Sequence, residues 1–263
     1  MSNTIHFGSA RRKLDRAEQH IRDLQATIEA WIKLRPYRPL IKAKRKDGDD
    51  WNVWIELLVD EPLPLNLPLI LGDAVHNLRC ALDHAMWDLI GFDRGKQHKH
   101  LQFIACLTRV DFEASVRGVE TPSQSVKDLL TSLAAYPTGD GELLYAVHAL
   151  DRADKHRAIT PVLHVSYVDS VVLIDIATNE RIRAKPFYAV VEGGEAIFTA
   201  PDGFGLTVDG NVYPTPDVFF PESDIIPNVP ILTGLWHMWD AVAGALREIE
   251  GYTTRAIINR PHV

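Results

Sequence analysis

Cysteine is scarce in this sequence, and long apolar runs are absent. Cys80 and Cys106 are the two cysteines among 263 residues, whereas small secreted domains carry a dense, even set of cysteines for disulfides. No run of about 18 apolar residues occurs, and the opening MSNTIHFGSARRKLDR lacks the apolar core of a signal peptide. We therefore expect a cytoplasmic protein that has no membrane among its partners.

Several well-known catalytic motifs are also missing. The sequence has no Gly-rich phosphate loop of the Walker type, no G-x-G-x-x-G after a predicted strand and no G-x-S-x-G elbow. Their absence argues against nucleotide-dependent and serine-hydrolase mechanisms. Hydrophobic residues make up 46% of the chain and charged residues 24%, both close to the averages for folded proteins. These shares exclude a disordered chain, a collagen and a coiled-coil rod.

The net charge of −7 is distributed unevenly along the chain. Residues 11–46 contain twelve Lys or Arg against four Asp or Glu, a local charge of +8, so the remainder carries −15. Such a segment can dock one polyanion locally, but it is not the broad positive face of a dedicated nucleic-acid-binding protein. The alternative is a solvated charged helix followed by an edge hairpin that lysines protect from aggregation.

The N-terminal part of the chain is predicted to form a long helix and a β-hairpin. Apolar residues recur every three or four positions from Ser9 to Leu34, with Ser9 as the predicted N-cap and Pro36 as the stop. Strands are predicted over residues 37–46 and 51–60, joined by an Asp-Gly turn. One face of the first strand is basic, and Trp54 of the second strand points away from the apolar face of that strand.

A second long helix is predicted from Asn66 to about Ile90, with Pro68 in its first turn and Gly91 at its end. Shorter helices are predicted over about 110–119, 125–135 and 142–155. Short antiparallel strands, separated by Gly-containing turns, are predicted from residue 159 to about 220. A last long helix is predicted over about 230–250.

Together these elements predict an α+β fold with residues 1–263 in a single domain. Long N-terminal, central and C-terminal helices form a bundle, and a β-hairpin and a small antiparallel sheet pack against it. Residues 66–158 form the helical motif region of this domain. Residues 159–228 form a β-rich region that could be a subdomain, although no linker-like sequence precedes it.

The second long helix carries an unusual polar face. His76, Arg79 and Asp83 lie at positions i, i+3 and i+7 on it, and Cys80, His84 and Trp87 lie beside them. A merely solvated face would carry Lys, Glu and Gln, which favour helices and hydrate readily. We therefore predict a site on this face, in which Cys80 itself is a buried, inert thiol.

A second polar motif, Asp154-Lys155-His156-Arg157, lies at the end of the helix that precedes the strands. The three basic residues suit the negative pole at the C-terminus of a helix. Asp154 does not suit that pole, so we expect it to meet the guanidinium or an imidazole of the second long helix. The two motifs should then meet in one site.

These two motifs, residues 76–84 (HNLRCALDH) and 154–157 (DKHR), resemble the hallmark of a family of uncharacterised bacterial and phage proteins. The resemblance covers roughly residues 66–160. It includes Gly72-Asp73 before the first motif and Trp87 after it. The resemblance implies two linked motifs in one site and no particular reaction.

Arg79 and His84 are separated by four residues, a spacing that resembles the signature of HEPN ribonucleases, helical proteins of toxin and defence systems. The resemblance implies RNA cleavage without a metal ion, in which His84 moves a proton and Arg79 steadies charge on the phosphoryl oxygens. Positions five apart on a straight helix point about 140° away from each other, so the pair converges only at a break in the helix or across a homodimer. The other residues of this interpretation are His76 and Asp83 at the catalytic site, and Lys42, Lys44, Lys46 and Trp54 as the RNA-binding surface.

Other interpretations of the same residues stay open. One is a divalent metal site between facing helices, with zinc, iron or manganese for a hydrolytic or oxidative reaction; its candidate ligands are His76, Asp83, His84, Asp151, Asp154 and His156. Another is non-enzymatic, a charge-compensated network of His76, Arg79, Asp83 and Asp154 that fixes helix or subunit packing. A further one is a small-ligand pocket lined by Trp51, Trp54 and Trp87.

Overall fold

A computed structural model describes residues 7–45, 51–94, 101–168, 172–175, 178–183, 187–188, 191–192, 195–200, 204–206, 214–221, 225–226 and 229–258. For residues 39–45 and 51–57, and for most of the strands between 165 and 215, the description covers the backbone alone. Lys46 lies outside the described residues, as do the side chains of Lys42, Lys44 and Trp54. The predicted RNA-binding surface is therefore placed only by backbone register, with Lys42 opposite Trp54.

A helical bundle forms the core of the fold, as predicted. Its helices in the described part of the chain are α1 (Gly8–Lys33), α2 (Leu67–Arg94), α3 (Arg109–Gly118), α4 (Gln124–Ser132), α5 (Glu142–Asp154) and α6 (Ile231–Ile258). Helices α1, α2 and α6 pack against one another, and α5 packs against α2 and α6. No helix within these residues is both long and apolar enough to span a bilayer.

The apolar stripes that predict the long helices are the surfaces that they bury. The stripe of α1 is buried from Leu14 to Trp31, and that of α6 from Ile231 to Ile249. On α2, Leu78, Leu82 and Leu89 have no exposed surface at all. Each such side chain contributes roughly 1.5–3 kcal/mol by leaving water, so mutual burial of these stripes holds the bundle together.

The ends of the long helices differ from the predictions. Helix α1 begins at Gly8 after the buried Phe7 without a side-chain cap, so Ser9 is not the N-cap. Helix α2 continues through Gly91 to Arg94, whose Nη1 lies 2.8 Å from a carboxylate oxygen of Glu120. Helix α6 extends beyond residue 250 to Ile258, with Thr253 buried. Helix α2 thus continues past its predicted stop at Gly91, and α6 is longer than its apolar stripe predicts.

The predicted hairpin and the β-rich region form antiparallel sheets. Strand β1 (Tyr37–Arg45) pairs with β2 (Trp51–Val59). The later strands are β3 (Val162–Val168), β4 (Val172–Asp175), β5 (Arg181–Arg183), β6 (Phe187–Tyr188), β7 (Val191–Glu192), β8 (Glu195–Ala200), β9 (Phe204–Leu206) and β10 (Pro214–Phe219). They are ordered β1-β2-β8-β7, β10-β3-β6 and β5-β4-β9. Because β2 pairs with β8, the hairpin shares a sheet with the later β-rich region.

Candidate functional site between α2 and α5

An imidazole and a buried carboxylate join α2 to α5. The Nδ1 atom of His76 lies 2.9 Å from Oδ1 of Asp151, whose other oxygen accepts a hydrogen bond from Nζ of Lys155 at 2.6 Å. The Asp151 side chain is 5% exposed, whereas that of His76 is 49% exposed. An ionised carboxylate only accepts hydrogen bonds, so Nδ1 carries the proton and Nε2 is left as an acceptor. Asp151 thus fixes both the tautomer and the orientation of His76.

The free nitrogen of this imidazole faces a thiol. Cys80 lies one helical turn after His76 on α2, and its Sγ is 3.4 Å from Nε2 of His76. Since Nε2 is the acceptor, the thiol is the donor of this contact. Asp151, His76 and Cys80 therefore form a continuous line, called the Asp151–His76–Cys80 triad below.

The surroundings of the thiol determine its protonation state. Burial raises the pKa of Cys80, and this outweighs Lys13, the nearby cation that most favours the thiolate. Lys155 also favours the thiolate, while Asp83 and Asp151 oppose it. The thiol is consequently protonated at neutral pH, and any reaction through sulfur needs a base such as Nε2 of His76.

Arg79 and Asp83 form a clamp on the segment that follows α2. Nη2 of Arg79 lies 2.8 Å from Oδ1 of Asp83 and donates to the carbonyl oxygen of Phe103 at 2.9 Å. The main-chain N–H of Phe103 donates to the same carboxylate oxygen of Asp83 at 2.8 Å. Arg79 is only 4% exposed. The clamp therefore holds Phe103 on α2, and the guanidinium is turned away from bulk solvent.

Of the second motif, Lys155 alone joins the site. Asp154 has no ion pair among the described residues, so the prediction that it meets a cation of α2 is wrong. Its carboxylate packs over Gly72 instead. A Cβ added at residue 72 would lie 2.5 Å from Oδ2 of Asp154. The carboxylate that meets His76 is Asp151, nearly one turn earlier on α5. His156 and Arg157 follow the end of α5 and are exposed.

Arg79 and His84 do not converge within one chain. Helix α2 is continuous through both positions, so their side chains leave it in different directions. His84 instead lines a cleft of about 330 Å³ with Ser9, Asp83, Trp87 and Leu101. Its Nδ1 is buried without a hydrogen-bond partner in the described part of the chain.

The candidate metal ligands are dispersed. His76 is bound to Asp151, Asp83 is bound to Arg79 and Asp154 packs on Gly72. Within the residues that the structure describes, no three His, Cys, Asp or Glu side chains are placed to hold one ion. The side chains present at this site do not fit a metal centre.

Sequence reasoning did not single out two residues of this interface. His148 lies on α5 three residues before Asp151. Burial lowers the pKa of His148, Arg79 lowers it further, and Asp151 raises it. Asn77 is buried and accepts a hydrogen bond from Nζ of Lys13 at 3.1 Å. The spacing of three or four residues that places His76 with Cys80, and His148 with Asp151, is visible in the sequence, but the pairing of the two helices is not.

Comparisons of the chain with family models, with curated proteins and with solved structures found no match. The chemistry open to the site is defined by its own groups. They are an oriented imidazole with a free nitrogen, a thiol in contact with that nitrogen, and the ammonium groups of Lys13 on α1 and of Lys155 directly after α5. This combination suits base-assisted attack by a nucleophile.

Proposed function

We propose that the protein is a thiol-dependent hydrolase or acyltransferase with Cys80 as nucleophile, His76 as general base and Asp151 as the group that orients His76. One observation carries this proposal. Sγ of Cys80 lies 3.4 Å from Nε2 of His76, while Nδ1 of the same ring lies 2.9 Å from the buried Asp151. A nucleophile, its base and an orienting carboxylate in one line are the shared feature of enzymes that form covalent acyl intermediates.

The reaction follows from these contacts. His76 takes the proton of the Cys80 thiol, and the sulfur attacks the carbonyl carbon of an ester or thioester. The bond to the leaving group breaks, and His76 returns the proton to the departing alcohol or thiol. Water then attacks the acyl-cysteine with His76 as base, releasing a carboxylic acid and restoring the thiol. In a transferase, an amine or alcohol takes the place of that water.

The negative charge on the carbonyl oxygen needs a partner as the sulfur attacks. Cys80 lies in the interior of α2, where main-chain N–H groups are used by the helix itself. Lys155 is held beside the triad by its 2.6 Å contact with Asp151 and acts electrostatically on the thiol. Its ammonium is therefore the group that we assign to charge stabilisation.

The test is hydrolysis of an activated aryl thioester, followed by mass spectrometry of the protein. We expect a burst of product, an acyl adduct on Cys80 and loss of activity in Cys80→Ala. Asp151→Asn should lower kcat by at least about tenfold, since it disturbs the tautomer of His76. Cys106→Ser is the matched control, because Cys106 is a free, half-buried thiol whose Sγ contacts Ser115 rather than a histidine. Undiminished turnover in Cys80→Ala would contradict the proposal.

RNA cleavage is the second candidate function, and the cations around His76 favour it. The charges of Lys13 and Lys155 both act on Cys80, and ammonium groups near His76 favour the binding of a phosphodiester. His76 would then take the proton of the ribose 2′-hydroxyl, with Cys80 playing no part. The HEPN-like alternative needs Arg79 of one copy to meet His84 of a second copy, so the buried guanidinium would have to leave its contacts with Asp83 and Phe103.

An RNA cleavage assay that contains a chelator distinguishes these candidates. It compares the wild type with Cys80→Ala, His76→Gln and His84→Ala. Cleavage that survives in Cys80→Ala and is lost in His76→Gln supports His76 as the base. Cleavage lost in His84→Ala but retained in His76→Gln supports the pair formed across two copies. Absence of both activities in the wild type, with lower stability in the variants, supports the non-enzymatic packing network.

A further inference from the structure

A lysine of α1 is held in place beside the triad. Nζ of Lys13 donates to Oδ1 of Asn77 at 3.1 Å, and the side-chain amide of Asn77 donates to the carbonyl oxygen of Asp73 at 2.8 Å. Only one orientation of the Asn77 amide satisfies both contacts, because its oxygen must face the ammonium. Asn77 is 8% exposed, so this support is fixed by packing.

The charge of Lys13 is not neutralised by a carboxylate in the described part of the chain. Its neighbour Arg11 is paired with Glu250, and Arg22 further along α1 is paired with Glu18. Lys155, the other cation that acts on the Cys80 thiol, is paired with Asp151. Lys13 therefore keeps two ammonium donors for another group, and its charge acts on the Cys80 thiol.

Asn77 holds the charge of Lys13 near the sulfur that reacts. Asn77 and Cys80 are three residues apart on α2, a rise of about 4.5 Å and a turn of about 60° between their directions. An anionic group bound to Lys13 would therefore lie only a few bonds from a carbonyl carbon in contact with Sγ of Cys80.

We propose that Lys13 selects substrates that carry an anionic group, a carboxylate or a phosphate, a few bonds from the carbonyl that Cys80 attacks. This inference rests on the proposed function, because it names the substrate class of the same site. An anion there would replace part of the hydration of Lys13 and leave its contact with Asn77 intact.

The first experiment needs no turnover, so its result does not depend on the proposed reaction. Iodoacetate and iodoacetamide both alkylate a thiolate, forming a carbon–sulfur bond and releasing iodide, but only iodoacetate is anionic. We define the preference of Cys80 as its iodoacetate rate divided by its iodoacetamide rate. This ratio cancels any change in the fraction of thiolate.

We expect Lys13→Met to lower that ratio roughly three- to tenfold at low ionic strength. Arg12→Met is the matched control, because it removes a neighbouring charge on α1 that is exposed, and it should leave the ratio nearly unchanged. Cys106 provides an internal reference in every sample. The same ratio in wild type and Lys13→Met would overturn the inference.

The second experiment compares hemisuccinyl and butyryl thioesters, which present an anionic and a neutral acyl chain. Wild type should favour the hemisuccinyl thioester in kcat/KM, and Lys13→Met should reduce this preference by a factor similar to that seen in alkylation. If the natural anion is a phosphate, inorganic phosphate should compete with the hemisuccinyl substrate more strongly than a simple carboxylate does. If alkylation depends on Lys13 but neither thioester is hydrolysed, the anion site is supported and the proposed reaction is wrong.

Discussion

The carboxylate of Asp154 lies directly over the backbone of Gly72, where α5 crosses α2. A Cβ at residue 72 would come within 2.5 Å of Oδ2 and 2.8 Å of Cγ of Asp154. The absence of a side chain at residue 72 thus leaves the space that the carboxylate of Asp154 occupies. At the same crossing, Asp151, nearly one turn earlier on α5, meets His76, which is one turn later on α2.

Gly72→Ala should destabilise the protein despite the higher helix propensity of alanine. A Cβ there forces the carboxylate of Asp154 to shift, and because overpacking costs about 1–3 kcal/mol against a gain of about 1 kcal/mol from propensity, we expect a net loss. In an Asp154→Ala background the carboxylate is gone, so the same substitution should be stabilising. Chemical denaturation of the four proteins measures both effects, and a stabilising Gly72→Ala in the wild-type background would contradict this packing.

Removing the charge of Arg79 and removing the charge of Asp83 should lower the free energy of unfolding by different amounts. Asp83→Asn leaves a guanidinium that is 4% exposed without its counter-ion, and we expect a loss of about 2–4 kcal/mol in the free energy of unfolding. Arg79→Met removes the buried charge and leaves Asp83 partly exposed, with its bond to Phe103, so a smaller loss is expected. Denaturant melts test the order, and a larger loss in Arg79→Met would contradict it.

Alkylation of Cys80 should have a pH midpoint above that of an ordinary thiol, about 8.5. Burial disfavours the thiolate and raises the pKa of Cys80, whereas Lys13 lowers it. Lys13→Met should therefore move the midpoint to still higher pH. The rate of iodoacetamide labelling against pH, measured in a Cys106→Ser background that leaves one thiol, gives both values. A midpoint below the ordinary range would mean a preformed thiolate rather than a thiol that needs His76.

His148 should make the fold less stable in mild acid. Burial, and after it Arg79, lower its pKa in the folded state, so the unfolded chain binds more protons below about pH 6.5. The free energy of unfolding therefore falls as the pH drops through the unfolded pKa, and continues to fall until the folded pKa is reached. His148→Gln should flatten this slope in melts at successive pH values.

Part of the acid sensitivity should survive in His148→Gln. Burial and Arg16 also lower the pKa of His20, which contributes in the same direction. Equal slopes for wild type and His148→Gln would show that His148 is not held neutral in the folded protein.

The sequence predicted the helices better than their ends. The stripes of α1, α2 and α6 are strong local signals, and burial confirmed them. Ser9 and Gly91 were wrong as boundaries, since Phe7 anchors the start of α1 and tertiary contacts extend α2 to Arg94. The pairing of β2 with β8 could not be predicted from the sequence, because nothing in either strand specifies a partner more than a hundred residues away.

For the site, the sequence identified the polar face of α2 but not its partners. His76 and Cys80 can be placed on one face by their spacing alone. The choice of Asp151 over Asp154 depends on where α5 crosses α2, because that crossing places Asp151 at His76 and Asp154 over Gly72. Cys80 was predicted to be inert because nothing in the sequence favours its thiolate, and that stays a prediction. The orientation of His76 by Asp151, on which the proposed role of Cys80 depends, arises only where the two helices meet.

The order of amino acids by itself determined which residues share a helix face, because that depends on a repeat of 3.6 residues within a few turns. Tertiary structure decided which carboxylate orients His76, which cation stands beside Cys80, and that Arg79 serves as a buried clamp. The physical reason is the separation along the chain of the residues that interact. Helical periodicity is set by neighbours along the chain, whereas these contacts depend on how closely the backbones of separate helices approach.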